Sequence, residues 1–183
     1  MKHGRTFEFV ERLPFPAEDV YLVFRDRSRE LIPLLPNVES ITVLSREQYA
    51  PGRTKIVNRW QGKVPPQVPR VLRPFVKPEL TAWMDYADWS DAERCVRWRF
   101  EMPQAHDLFE CSGENWVEAD GKHTVVRLKG TVVLYPERLP GMPHFLADRI
   151  ARPLEKFLLD NIRPNMLEVP DAVRRFLGAQ AAS

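Results

Sequence analysis

Residues Thr6 to Leu13 alternate, with Phe7, Phe9 and Leu13 on one face and Thr6, Glu8 and Arg12 on the other, the period of a half-buried strand. Pro14-Phe15-Pro16 breaks that pattern. From Ala17 to Phe24, Val20, Val23 and Phe24 recur at helical spacing, with Pro16 at the first turn and Glu18 and Asp19 complementing the helix dipole. Ser28 is placed to cap a second short helix carrying Leu31 and Leu35, ended by Pro36-Asn37. Beyond it the helical period gives way to β-type segments at 38–49, 53–61, 80–89, 94–102, 107–118 and 123–135. The joints are turn signals, of which Asp120-Gly121 is the clearest hairpin. Short links between successive strands imply antiparallel neighbours, seven strands in all.

Charge supports that pairing. Arg97, Arg99 and Glu101 share one face of 94–102, Glu110 and Glu114 one face of 107–118, and Arg127 and Lys129 one face of 123–135. Side by side these make a mainly basic, an acidic and a basic row, worth about 0.2–1 kcal/mol per pair and more informative about register than stability. The opposite face, with Val96, Trp98, Phe100, Phe109, Cys111, Val126, Leu128, Val132 and Leu134, is almost wholly apolar and needs a cover. After Pro140-Gly141, Met142, Phe145, Leu146, Ile150, Leu154, Phe157, Leu158 and Ile162 recur at three- and four-residue steps, which predicts a long amphipathic helix. Pro153 predicts a bend in it, while Pro164 and Pro170 limit it, leaving Val173, Phe176 and Leu177 for a last short turn and a frayed tail.

Composition narrows the classes. At 183 residues with 44% apolar content, one domain over 1–183 is expected. The 27 basic and 25 acidic side chains leave a net charge of +2, without the basic excess of a nucleic-acid binder, so no nucleic-acid partner is expected. No leader-like or membrane-length apolar run is present, which gives the expectation of a cytoplasmic protein. Cys95 and Cys111 lie in apolar or alternating segments and read as reduced, buried thiols.

Strand, two short helices, six strands and a long C-terminal helix: this order resembles the helix-grip architecture of the START-like (SRPBCC, Bet v 1-like) superfamily, which includes polyketide cyclases and coenzyme Q-binding proteins. The likeness covers about residues 5–163, leaving 164–183 as a C-terminal extension. Its most specific part is Phe15-Pro16-Ala17-Glu18-Asp19-Val20 followed by Pro36-Asn37-Val38-Glu39-Ser40, similar to the usual first-helix entry and turn into the second strand. The resemblance implies an α+β fold in which a curved seven-stranded antiparallel sheet wraps round the long helix and leaves an internal cavity for an apolar ligand. It carries over no catalytic motif.

Alternation suggests which polar groups face that cavity, since binding sites are mostly apolar with a few orienting polar groups. Ile56, Asn58 and Trp60 share one face of 53–61, Ala82, Met84 and Tyr86 one face of 80–89, and Asn115 follows Phe109 and Cys111. Asn58, Tyr86 and Asn115 are therefore the expected polar anchors, or else groups that bond backbone or water near a strand end or bulge. Trp60, Met84, Trp98, Phe100, Phe109 and Leu128 from the strands, with Phe145, Ile150 and Phe157 from the helix, make the expected apolar lining. Glu11 falls on the Phe7/Phe9 face, either as a carboxylate at the sheet rim or as a buried acid. The four histidines share no face and there is no His-Glu-x-x-His or Cys-x-x-Cys, so neither a metal nor any other cofactor is expected. The Pro-rich stretch 62–78 mixes Leu72 and Phe75 with Arg70, Arg73 and Lys77; it reads as a lid, either docking on an anionic membrane surface or packed on its own protein.

The functional expectation is binding, and carriage, of a hydrophobic small molecule such as a lipid, isoprenoid quinone or polyketide-like compound. At about 25 cal/mol per Å², burying about 300 Å² of apolar ligand surface gives about 7–8 kcal/mol before ordering costs, enough for micromolar binding. The rival is an aromatase/cyclase or dehydratase using polar residues of the cavity, for which alternation supplies no acid–base pair. A chaperone-like module is a third reading and would need an exposed apolar patch.

Overall fold

The computed structural model describes residues 3–63, 81–103, 109–135, 138 and 166–182. β1 (His3–Leu13) leads into α1 (Ala17–Asp26), a 3₁₀ segment (Ser28–Leu34) and then β2 (Val38–Ala50), β3 (Arg53–Gly62), β4 (Ala82–Ser90), β5 (Cys95–Glu101), β6 (Phe109–Asp120) and β7 (His123–Leu134). A helix, α2, runs over 166–181. The seven strands form one antiparallel sheet in the order β1-β7-β6-β5-β4-β3-β2. Strands β2 to β7 are thus a meander, and β1 joins its far edge. Gly121 takes a positive φ of 62° in the β6–β7 turn, as the Asp-Gly signal predicts.

The charged rows pair as expected. Arg97 Nε donates to Glu114 Oε1 at 2.8 Å, Glu114 lies opposite Lys129, and Arg127 reaches Glu8 at 3.3 Å on the next strand. That fixes the solvent face of β5, β6 and β7 and turns Val96, Trp98, Cys111, Val117, Val126, Leu128 and Val132 into the core.

Two helical expectations change. The second short helix is a 3₁₀ segment preceded by Arg27, with no side-chain cap; Ser28 lies inside it, and Arg27 instead donates to Glu30 at 2.7–2.8 Å. Pro33 within the segment cannot donate to the ladder of a longer α-helix. At the C-terminus, Pro170 does not limit a helix but is buried within α2, which is far longer than a last turn. The spacing of Met166, Val169, Val173, Phe176 and Leu177 is itself helical, and burying that stripe outweighs the one backbone hydrogen bond Pro170 removes.

The core at this end of the sheet joins Leu13 to Val20, Tyr21 and Val23 of α1, Leu31 and Leu35, and Met166, Ala172, Val173 and Leu177 of α2. α1 rests on β6 and β7. The Tyr21 hydroxyl donates to Asp91 at 2.8 Å, Arg25 bonds both Asp91 and Asp26, and Arg46 of β2 reaches Asp26 at 2.7 Å. One network thereby ties α1 to the β4–β5 turn and to β2. α2 is held by Asn37 on Glu168 (2.8 Å), Arg175 on the Leu34 carbonyl (2.6 Å) and Arg174 on Glu11 (3.1 Å). The expected helix over 142–162 with its bend at Pro153, its lining residues Phe145, Ile150 and Phe157, and the lid residues Arg70, Leu72, Arg73, Phe75 and Lys77 lie outside the described residues. Among the described residues no helix is long and apolar enough to cross a membrane.

Candidate functional site

Register decides which side chains share the core-facing side of the sheet. β3 turns Thr54, Ile56, Asn58 and Trp60 to that side, and their partners across β4 are Trp89, Ala87, Asp85 and Trp83. β5 continues it with Val96, Trp98 and Phe100, and β6 with Cys111, Gly113 and Asn115. Asn58 and Trp60 are therefore where alternation predicts them, as are Trp98, Phe100 and Leu128. Phe109 belongs to β6, but its side chain lies outside the described residues.

Met84 and Tyr86 are not on this side. They sit opposite Arg59 and Val57 on the outer face, where the Arg99 guanidinium lies 4.4 Å from the centre of the Tyr86 ring. The expected face of β4 is inverted, and Asp85, which alternation does not single out, takes Tyr86's place as the inward polar group. Both faces of this strand carry aromatic residues and one carboxylate, so its own alternation does not discriminate. The deciding signal lies one strand away: Arg97 and Arg99 of the outer face stand opposite Asp88 and Tyr86 in this register.

Asp85 sits among aromatic side chains. Phe100 is its partner on β5, and Trp60 and Trp83 stack one residue-pair along, with ring centres 5.6 Å apart and planes at 17°. Burial pushes its carboxyl pKa up to about 6, offset only in part by the Asn58 amide and the Trp60 indole N–H. The Asn58 amide nitrogen donates to Asp85 Oδ2 at 3.4 Å, a long bond. Asn58 is 7% exposed, and its Oδ1 and the Trp60 Nε1 are both buried without a hydrogen-bond partner among the described residues. Each such group costs about 1–3 kcal/mol when left unmet. Three polar groups with unspent capacity thus share one aromatic patch, which is the composition of a ligand subsite.

Asn115 is different. Its Oδ1 accepts the Trp98 indole N–H at 2.8 Å and so fixes the indole. Trp98 also stacks on Phe100, ring centres 4.6 Å apart. It lies flat because Gly113 and Gly130 are cross-strand partners beneath it. A Cβ at Gly113 would stand 2.5 Å from Trp98 Cζ2, and one at Gly130 3.0 Å from Trp98 Cη2 and 2.7 Å from Phe7 Cε2.

Glu11 is half-buried and paired with Arg174, as a rim residue would be. Cys95 and Cys111 are free and buried on opposite faces of the sheet. No group of three or more His, Cys, Asp or Glu among the described residues could hold a metal ion. A notch of about 420 Å³ beside the 3₁₀ segment is lined by Asp26, Arg27, Arg29, Glu30 and Ile32, a charged surface groove in which Arg27 and Glu30 already satisfy each other.

No protein-family model and no curated protein matches the chain. Solved structures do. The Zhui aromatase/cyclase from Streptomyces superposes with a TM-score of 0.68 at 18% identity, covering 98% of this chain and 96% of that one. Norcoclaurine synthase from Thalictrum flavum, solved with dopamine and hydroxybenzaldehyde, gives 0.61 at 14% identity over 96% and 87%. The di-domain aromatase/cyclase of the steffimycin biosynthetic pathway gives 0.65 at 13% over 98% of this chain and 53% of that one. At these identities the likeness shows the fold alone: the seven-stranded curved sheet with its C-terminal helix is a helix-grip fold.

Proposed function

Starting from a helix-grip fold shared with aromatase/cyclases, we propose that this protein binds an apolar, ring-containing small molecule against the core-facing side of β3 to β6. The observation that carries the reading is the patch formed by Trp60, Trp83, Trp98 and Phe100 around Asn58 and Asp85, apolar in area and polar at one point. Apolar contact supplies most of the affinity, and the polar point orients the ligand. Tryptophan fluorescence tests this directly, because four of the five indoles lie on or beside this face. Titration with naphthylethanol, an apolar alcohol, is expected to quench the indoles saturably with a micromolar midpoint. Linear, non-saturating quenching equal to that of free tryptophan contradicts the proposal.

A second reading is favoured by one observation. A carboxyl with a pKa of about 6 holds or releases a proton near neutrality, as a cyclase or dehydratase needs for enolisation or loss of a hydroxyl. In that case Asp85→Asn lowers turnover of a poly-ketone substrate by about 10²-fold or more. A change under about threefold leaves the binding reading and removes the catalytic one.

A further inference from the structure

Among the described residues, the charge at Asp85 has no counterpart. The side chains that face it from β3 are Ile56, Asn58 and Trp60, those from β5 are Trp98 and Phe100, and its neighbours on β4 are Trp83 and Ala87, none of them charged or titratable. Lys55, Arg59, Arg97 and Arg99 all belong to the other side of the sheet. A carboxylate withdrawn from water is costly unless paired, and here the described residues provide only neutral donors, the Asn58 amide in one long bond and the nearby Trp60 indole N–H. Next to it, Asn58 Oδ1 is an acceptor without a donor among the described residues, on a side chain 7% exposed. Beside both lie the stacked rings of Trp60 and Trp83, whose faces attract cations.

One ligand group answers all three. We infer that the molecule bound on this face carries a protonated amine, held between the Asp85 carboxylate and Asn58 Oδ1 against the indoles of Trp60 and Trp83. An ammonium has several donor hydrogens, so it can serve both oxygens and neutralise the carboxylate together. A hydroxyl has one donor and leaves the charge uncompensated, and a ligand carboxylate would be repelled. The second carboxylate oxygen remains for the indole N–H of Trp60, which has no other partner among the described residues. This inference rests on the binding reading above, and adds the chemistry of the ligand's polar end.

The test compares two probes of one shape, naphthylethylamine and naphthylethanol, by tryptophan quenching and calorimetry on the intact chain. At about pH 7.5 the amine is expected to bind about 10- to 100-fold more tightly than the alcohol, the range for a charge-assisted hydrogen-bonded contact. That preference is expected to shrink as pH falls through about 6, where Asp85 takes up its proton, while the alcohol's affinity changes little. Asp85→Asn is expected to abolish the preference and Asn58→Leu to reduce it several-fold; the pH series on the unaltered protein needs no variant to fold. Equal affinity for amine and alcohol at pH 7.5, or a preference that survives Asp85→Asn, overturns the inference and leaves the apolar site standing. Binding of neither probe overturns both.

Discussion

Replacing Asp85 by asparagine keeps the shape of the side chain and removes its charge, so it isolates what burying that charge does to the fold. The carboxyl is raised from its ordinary 3.8 to about 6, mainly by burial. The folded chain therefore keeps a proton over a pH range in which the unfolded chain has lost it. The contribution of Asp85 to stability is therefore greatest below pH 4, falls as pH rises from about 4 to about 6, and is flat beyond. A shift of about two units corresponds to about 3 kcal/mol at pH 7.5, and about half of that has been lost by pH 5. Asp85→Asn should then stabilise the protein by up to about 3 kcal/mol at pH 7.5 and hardly at all at pH 4. Urea unfolding followed by tryptophan emission, run on both proteins across pH 4–8, reads the difference free of the groups they share. A stability difference that stays constant across this range, or asparagine destabilising the fold at pH 7.5, would refute the argument that Asp85 is a desolvated, uncompensated charge.

Other expectations concern the scaffold. Gly113→Ala places a methyl 2.8 Å from the Gly130 Cα, and closer still to the Lys129 carbonyl, atoms that cannot swing aside; an unfolding free energy lower by about 1–3 kcal/mol is expected, and an unchanged Tm would contradict the packing of Trp98 on bare backbone. Tyr21→Phe removes the hydroxyl that donates to Asp91 and should cost about 1 kcal/mol in chemical denaturation, whereas a neutral result would mean that Arg25 alone holds the turn. Burial pushes the Cys95 thiol up to about 11 and the Cys111 thiol up to about 12, so at pH 8 iodoacetamide should leave both unlabelled in the native protein and label both in denaturant. Labelling of either thiol at the denatured rate without denaturant would show that its strand opens.

Much of the fold is legible because each strand of the meander repeats one simple signal. The opposed charges of Arg97, Glu114 and Lys129 fix three strands, and Asp120-Gly121 fixes the turn between two of them. α2 is harder to read, because Pro170 argues against a helix where the spacing of Met166, Val173 and Leu177 argues for one; a single lost hydrogen bond is a smaller quantity than a buried apolar stripe. The site is half legible for a related reason. Asn58 and Trp60 alternate with Lys55 and Arg59, so the inward face of β3 is plain. In β4 the acids Asp85 and Asp88 fall on opposite faces, each with aromatic neighbours, and a one-residue choice inverts the strand. Only pairing with β5, which the chain brings together in space, separates the acid that meets arginine from the acid that meets tryptophan.

Native mass spectrometry of the protein purified from its own cells bears most directly on the proposed role. A species heavier than the 21.4 kDa chain by the mass of one small organic molecule is expected, shed at higher collision energy, and carrying a basic nitrogen when its fragments are analysed. A chain that runs bare, and stays bare after incubation with excess naphthylethylamine and naphthylethanol, would contradict it.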